Sequence, residues 1–415
     1  MPRFDAVIVG AGPAGSTAAL CLARAGARVA LVDRRTFPRD KACGDLVGPR
    51  GVKLLAELGV TLTAARQVGD LIVIGPSGRR ILLPALPGLD YPGHALAVSR
   101  LTLDRTLFEA AVAAGAHPIR GVFLGLTGEP QNRTGVRLGG SGELRADAIV
   151  GADGATSQVA TAAQLVDSQQ PLWGFALRTY LDTPVGLPHI LLWEPQPWRL
   201  FPGYGWVFPT ADGRANVGLG IGVGANRSLV RQAGERFDEF CRHLQRHGLL
   251  PAAGPSRAER LGGWVKMGVI GTRPATGSLL LAGDAAGLIN PLQGEGIAQA
   301  MASGRAAATA ILTGGPTGAA AHYRESLCTL ITHHRINAPI QRGILQHPRS
   351  VSVAGRLLTA PLLRTAVAGT WSLYWNDLVS GAQPSPHRRL AAATGRLVSA
   401  VASRTDTDAW FTQAN

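Results

Sequence analysis

Cysteine is scarce in this chain of 415 residues, and the four present, Cys21, Cys43, Cys241 and Cys328, lie far apart without a CxxC pair. That spacing argues against a zinc site and against a disulfide framework. His333 and His334 stand side by side with no spaced acid or histidine partner, so no metal is expected. Charged residues make up only 16% of the chain and hydrophobic ones 46%, a balance that a disordered protein does not have. Long apolar runs are missing too: none reaches the roughly 20 residues needed to span a bilayer. The first residues, MPRFDAVIVGAGPAGS, run straight into a strand and a glycine loop. No signal peptide is therefore expected, and the location implied is cytoplasmic, with contact to a membrane from one side left open.

Acidic residues are also in short supply, 27 against 41 basic ones, which leaves a formal charge of +14 and a pI near 10.8. Such a charge suits nucleic acid, an anionic membrane surface or an anionic substrate. The basic residues are nearly all Arg and are scattered along the chain, with no nucleic-acid signature beside them. Nucleic acid is not expected as a partner.

What is present is a series of strand–turn–helix junctions. Residues 5–9 (DAVIV) fit a buried parallel strand, and Ser16 to Ala25 read as a helix ending at Gly26. Between them lies Gly10-Ala11-Gly12-Pro13-Ala14-Gly15. Gly10 permits the tight turn, Gly12 lets the backbone approach a diphosphate, and Gly15 allows the helix to pack closely on the strand. The diphosphate would sit at the positive end of the helix. A second strand at 28–32 (RVALV) closes the unit at Asp33, where an acid binds the adenosine ribose. Arg34 and Arg35 come next and leave NADP open as the dinucleotide.

Two later junctions decide between the dinucleotides. Ala148-Ile-Val-Gly-Ala-Asp153-Gly154 and Leu279-Leu-Leu-Ala-Gly283-Asp284-Ala-Ala-Gly-Leu-Ile-Asn-Pro291-Leu-Gln-Gly294-Glu-Gly296 each set an Asp beside a Gly where backbone can come close to a ligand. Asp284 can accept a hydrogen bond from a ribityl hydroxyl. A helix starting near Gly294 would aim its amide dipole at a flavin ring, which gains negative charge on reduction.

Taken in this order, the three junctions resemble the aromatic-hydroxylase superfamily of flavoproteins. Asp40-Lys41-Ala42-Cys43-Gly44-Asp45 and Pro202-Gly203-Tyr204-Gly205-Trp206-Val207-Phe208-Pro209 narrow the likeness to the geranylgeranyl reductase family, over residues 5–310 or so. The resemblance implies FAD as cofactor, with NAD(P)H or another reductant as electron donor. It places Tyr204, Trp206, Phe208 and Pro209 along a substrate cavity facing the flavin, and Cys43 and Gly44 near the isoalloxazine ring. Arg100, in Val98-Ser-Arg100-Leu-Thr-Leu-Asp104, matches an arginine that helps hold FAD. The cofactor site so read comprises Gly10, Gly12, Ala14, Gly15, Asp33 and Arg34 from the first unit, then Cys43, Gly44 and Arg100. Asp153, Gly154, Gly283, Asp284, Pro291, Gly294 and Gly296 complete it. One departure stands out: Ser157 is followed by Gln158, Val159 and Ala160, where the hydroxylases carry Ser-x-x-Arg, so their handling of NAD(P)H does not transfer directly. The W-x-W-x-I-P pattern of flavin halogenases is absent as such.

The expected architecture is α/β. A Rossmann-type FAD-binding domain is formed by 1–70, 98–165 and 265–315. A mainly antiparallel β-sheet substrate domain is inserted as 71–97 and 166–264, where LIVIGPSGRRILL reads as two strands around a Pro-Ser-Gly turn. A helical region fills 316–415, broken at Pro348, Pro361, Pro384 and Pro386.

The activity implied is that of an FAD-dependent oxidoreductase. Hydride would pass from flavin N5 to a C=C bond of an apolar isoprenoid-type substrate, with a proton going to the neighbouring carbon. Cys43 is the candidate catalytic thiol, with a pKa lowered by Lys41 beside it. Plain packing is the alternative for Cys43, and core packing for Tyr204 and Trp206. A flavin monooxygenase or oxidase of natural-product biosynthesis competes, as does a flavin-binding module without turnover, and fold alone does not separate them. The partners expected are an apolar small molecule and a separate reductase protein.

Overall fold

A computed structural model describes residues 3–85, 91–129, 132–140, 142–167, 172–192, 204–224, 227–251, 259–269, 271–290, 294–331 and 348–363. Its first sheet is built on apolar runs, as strands covered on both faces require. Strand Arg3–Val9 lies between Val29–Asp33 and Gly142–Gly151, all parallel, and Leu279–Leu281 and His117–Arg120 extend the parallel set on either side. Strands Val122–Glu129 and Asn132–Gly139 continue from Gly142–Gly151 as an antiparallel ladder.

Helix Pro13–Arg24 packs against helices Arg100–Ala113 and Ile297–Leu330. Small residues make that contact close: a Cβ on Gly304 would stand 2.1 Å from the Ala14 carbonyl oxygen. The two helices therefore meet backbone to backbone. The helix expected to start near Gly294 begins at Ile297 and runs past the expected boundary at 315 to Leu330, kinked at Gly315 and Pro316. Beyond the kink, Ala319, Tyr323 and Leu327 are buried in the same core as the parallel sheet. Residue 316, expected to open a C-terminal region, thus sits inside an element of the first unit. Pro384 and Pro386 lie outside the described residues.

The second sheet has the strand order Leu261–Met267, Leu172–Leu181, Ala215–Gly224, Tyr204–Pro209, His189–Leu191, Leu71–Ile74, Arg80–Leu83. All neighbours are antiparallel except His189–Leu191 with Leu71–Ile74. Strand Ala95–Ala97, from the expected 71–97 piece, pairs instead with Leu46–Val47 and Arg66–Val68 in a small separate sheet. The pleat sorts the two faces of Ala215–Gly224. Val217, Leu219, Ile221 and Val223 pack against helix Ala233–Arg246, whose Phe237, Phe240, Cys241 and Leu244 form one helical stripe. The opposite face carries Asn216, Gly218, Gly220 and Gly222, and it looks toward the first unit. Among the described residues no helix is long and apolar enough to cross a membrane.

Tyr323 clamps the long helix to the sheet: its buried hydroxyl donates to the Leu281 carbonyl oxygen at 2.6 Å. Tyr323→Phe leaves that carbonyl unpaired. The expected loss is about 1–3 kcal/mol in urea unfolding, with the native fold retained by circular dichroism.

Candidate functional site

Gly10 has φ +102. A Cβ there would lie 2.3 Å from the Ala152 carbonyl oxygen, and one on Gly15 would lie 1.8 Å from the Gly10 oxygen. Neither position admits a side chain. Gly12 is different: a Cβ would meet nothing nearer than the Arg39 guanidinium at 3.4 Å. It faces a cavity of about 590 Å³, a size usual for ligand sites. Helix Pro13–Arg24 starts at this point with no side chain capping its first amides. Those donors are left for a ligand, and the helix dipole favours an anionic one.

The cavity runs from Asp33 and Arg34, past Gly12 and Ala14, between the 153–154 and 283–284 turns, to Cys43, Gly44 and the aromatic strand. Gly15 is not on its wall; its place is the close packing just described. Asp33 accepts hydrogen bonds from the amides of Ala11 and Arg35, both at 2.9 Å, so it holds the glycine turn at the cavity's end. Asp153 accepts from the amides of Gln158 (2.7 Å) and Val159 (3.1 Å) and from the Ser157 hydroxyl. It fixes the start of helix Gln158–Ala162 at the point where the expected arginine is missing. Arg100 makes a bidentate pair with Asp104 at 2.7 and 2.8 Å.

Three successive residues of the segment crossing this cavity are each tied to a different element. Arg39 donates to Asp104 at 3.1 Å, Asp40 pairs with Arg178 of the second sheet, and the Lys41 ammonium donates to Asp284 at 2.8 Å. Lys41 is thus engaged away from Cys43. The lowered thiol pKa expected from their closeness in sequence is corrected: burial pushes the Cys43 thiol up, and Asp45 adds to this, while Arg100 and Lys41 oppose it. Desolvation outweighs the nearby cations.

The aromatic wall stands on missing side chains. The Trp206 ring covers Gly218, where a Cβ would be 1.9 Å from the ring, and Phe208 covers Gly44, where it would be 2.9 Å away. The Tyr204 hydroxyl lies 2.5 Å from the Cβ position of Gly294. Tyr204, Trp206 and Phe208 share the cavity face. Pro209 does not line the cavity: strand alternation turns it to the other side, where it is buried. Gly283, Asp284, Gly294 and Gly296 line the same cavity, Gly294 against the Tyr204 ring. Pro291 lies outside the described residues.

Sequence reasoning missed Asn216, Tyr180, Arg178, Lys266 and the role of Asp45. The Asn216 amide donates to the Cys43 carbonyl and to Asp45, each at 2.9 Å, and its oxygen accepts from Trp206 Nε1 at 2.9 Å. The Tyr180 hydroxyl donates to the same Asp45 oxygen. Lys266 is buried under the 283–286 turn, donating to the Ala285 carbonyl at 2.6 Å, and burial pushes it down to about 8. A usable signal existed in one case: Asn216 is the one polar residue on a strand face otherwise made of glycine.

The chain matches the FAD binding domain family over residues 3–321. It is 34% identical over 377 residues to the menaquinone reductase of Mycolicibacterium smegmatis, covering 86% of this chain and 85% of that one. It is 31% identical over 327 residues to the geranylgeranyl diphosphate reductase of Rhodobacter capsulatus, covering 75% of each. A solved geranylgeranyl bacteriochlorophyll reductase-like protein from Thermoplasma acidophilum has the same fold, with a TM-score of 0.69 over 95% of this chain and 96% of that one, at 23% identity. The chain belongs to the geranylgeranyl reductase family of FAD-dependent oxidoreductases. The uncapped helix start, the open side of Gly12 and the acid at the cavity's end all fit FAD.

Gly12 and Gly10 separate cofactor binding from folding. Gly12→Val projects into the cavity, so the protein is expected to fold by circular dichroism and to purify colourless. Gly10→Ala drives a methyl into the Ala152 backbone and should yield little folded protein. A yellow Gly12→Val protein with one FAD per chain would refute the loop assignment.

Proposed function

We propose that this chain is a reductase that saturates a carbon–carbon double bond in the polyprenyl chain of an apolar carrier, a prenyl quinone being the class we favour. One observation carries the reading. Among the described residues the second sheet contributes no charged side chain to the cavity wall: its share is glycine, aliphatic and aromatic, from Leu71 and Ile190 through Trp206 and Gly220 to Val265 and Met267. A substrate portion lying on such a wall is hydrocarbon. Menaquinone and geranylgeranyl diphosphate, named for two relatives, have a polyprenyl chain in common.

Reduced FAD supplies the hydride when bound. The chain's part is to hold the alkene on the cavity face of the aromatic wall, beside Cys43, and to deliver the proton. A half-buried thiol that stays protonated can do the latter. The S–H bond breaks as a C–H bond forms on the neighbouring carbon, and the thiolate left behind is stabilised by Arg100 and Lys41 until solvent reprotonates it. Electrons come from NAD(P)H or from a partner reductase. The chain works on the cytoplasmic side, touching the membrane that holds its substrate.

The test follows the reduced, yellow-bleached protein without oxygen after mixing with menaquinone or geranylgeranyl diphosphate. Flavin reoxidation with a product heavier by two hydrogens is expected. Inertness toward both, with an oxygenated product formed only in air, would replace the reading by the monooxygenase one. In the same assay Cys43→Ala is expected to lower the rate by about 10²–10⁴-fold at unchanged FAD content. Full turnover in that variant removes the role given to Cys43.

A further inference from the structure

Asp45 sits one turn from Cys43, and the chemistry just described makes no use of it. Its backbone has φ +61, a left-handed conformation that costs most side chains energy and suits asparagine better than most. It is only 1% exposed. One carboxylate oxygen accepts from Tyr180 and Asn216; the other, also buried, has no partner among the described residues. A buried acid with an unpaired oxygen destabilises the fold. Burial pushes its pKa up to about 6, opposed by the hydrogen bonds from Tyr180 and Asn216, so it is ionised at neutral pH.

Its surroundings tie it to Cys43 in three ways. The Asp45 amide donates to the Cys43 sulfur at 3.4 Å. Asn216, which holds the Asp45 carboxylate, also holds the Cys43 carbonyl and the Trp206 indole. The Asp45 charge acts on the sulfur directly, against Arg100 and Lys41.

We propose that Asp45 is the positioning residue for Cys43: clamped by Tyr180 and Asn216, it fixes the Cys43–Gly44 turn under the Trp206 wall and sets its negative charge beside the sulfur. The charges around the pair divide cleanly. From helix Arg100–Ala113, Arg100 favours the thiolate, with Asp104 bound to it; from the crossing segment, Lys41 does the same, bound to Asp284. From the second sheet, Arg178 and Tyr180 face the carboxylate, and Tyr204, itself near Glu295, faces the sulfur as a neutral phenol. Among the described residues Asp45 carries the negative charge that opposes ionisation of the thiol, while its own amide, donating to the sulfur, favours the thiolate. Below its own titration it is neutral, but there the thiol needs no help. Above it, the carboxylate charge is present over the range in which two neighbouring cations would otherwise draw the proton off.

The proposal rests on Cys43 as proton donor, yet its test does not require turnover. The infrared S–H stretch of Cys43, identified by difference against Cys43→Ala, is followed with pH in the FAD-loaded protein. In the natural sequence the band should persist beyond the ordinary thiol range; its loss below that range overturns the proposal without any variant. Asp45→Asn keeps the shape, since asparagine tolerates positive φ and still accepts from Tyr180 and Asn216, but removes the charge. The band should then vanish at a lower pH, and the alkaline limb of the reduction rate should move down with it. Tyr180→Phe loosens the clamp and keeps the charge, so it should lower the melting temperature and leave the Asp45-dependent thiol titration in place. A purely structural Asp45 would lower the melting temperature of Asp45→Asn with a titration superimposable on that of the natural sequence, and that result overturns the proposal. A normal titration shift in a protein inert to prenyl substrates would leave Asp45 standing and remove the reductase reading.

Discussion

The approach of backbone to backbone around the first glycine turn is the constraint from which the rest of this molecule follows. Gly10 meets the carbonyl of Ala152, Gly15 meets that of Gly10, and Gly304 meets that of Ala14. Each contact is possible only without a Cβ. Together they fix the start of one helix between two parallel strands and a second helix, with its bare amides facing the cavity. Gly12, within the same turn, has open space instead. Steric exclusion therefore leaves the backbone at Gly12 open to the cavity before any side chain acts.

The far end of the cavity is governed differently. There the fit depends on hydrogen bonds between two sheets, centred on the Asn216 amide, and on aromatic rings laid over glycines. Trp206 has both kinds of support, a ring seated on Gly218 and an indole N–H given to Asn216. A wall held this way presents a smooth apolar surface to the cavity.

Much of this was legible in the sequence, and the rest was not for reasons that can be named. The glycine turn, the parallel strands around it and the one-sided alternation of Tyr204, Trp206 and Phe208 are local patterns, readable from spacing alone. Asn216 and Asp45 lie 171 positions apart, and only the register of the second sheet brings them together. Lys41 stands two residues from Cys43, which suggested an activated thiolate. Nearness along the chain says nothing of burial, and the lysine turns instead to Asp284. The long helix outran its expected end because Gly315 and Pro316 kink it without stopping it, proline being tolerated in the first turn of the piece that follows.

The three ties at Arg39, Asp40 and Lys41 have a thermodynamic consequence. One reaches the cofactor unit through Asp104, one the second sheet through Arg178, and one the turn at Asp284. A segment held at three such points does not adjust to a ligand on one side without changing its fit on the other. Occupancy at the two ends of the cavity is therefore coupled in free energy, and the coupling is reciprocal: whatever factor a ligand at one end adds to the hold on a ligand at the other, the second adds to the hold on the first.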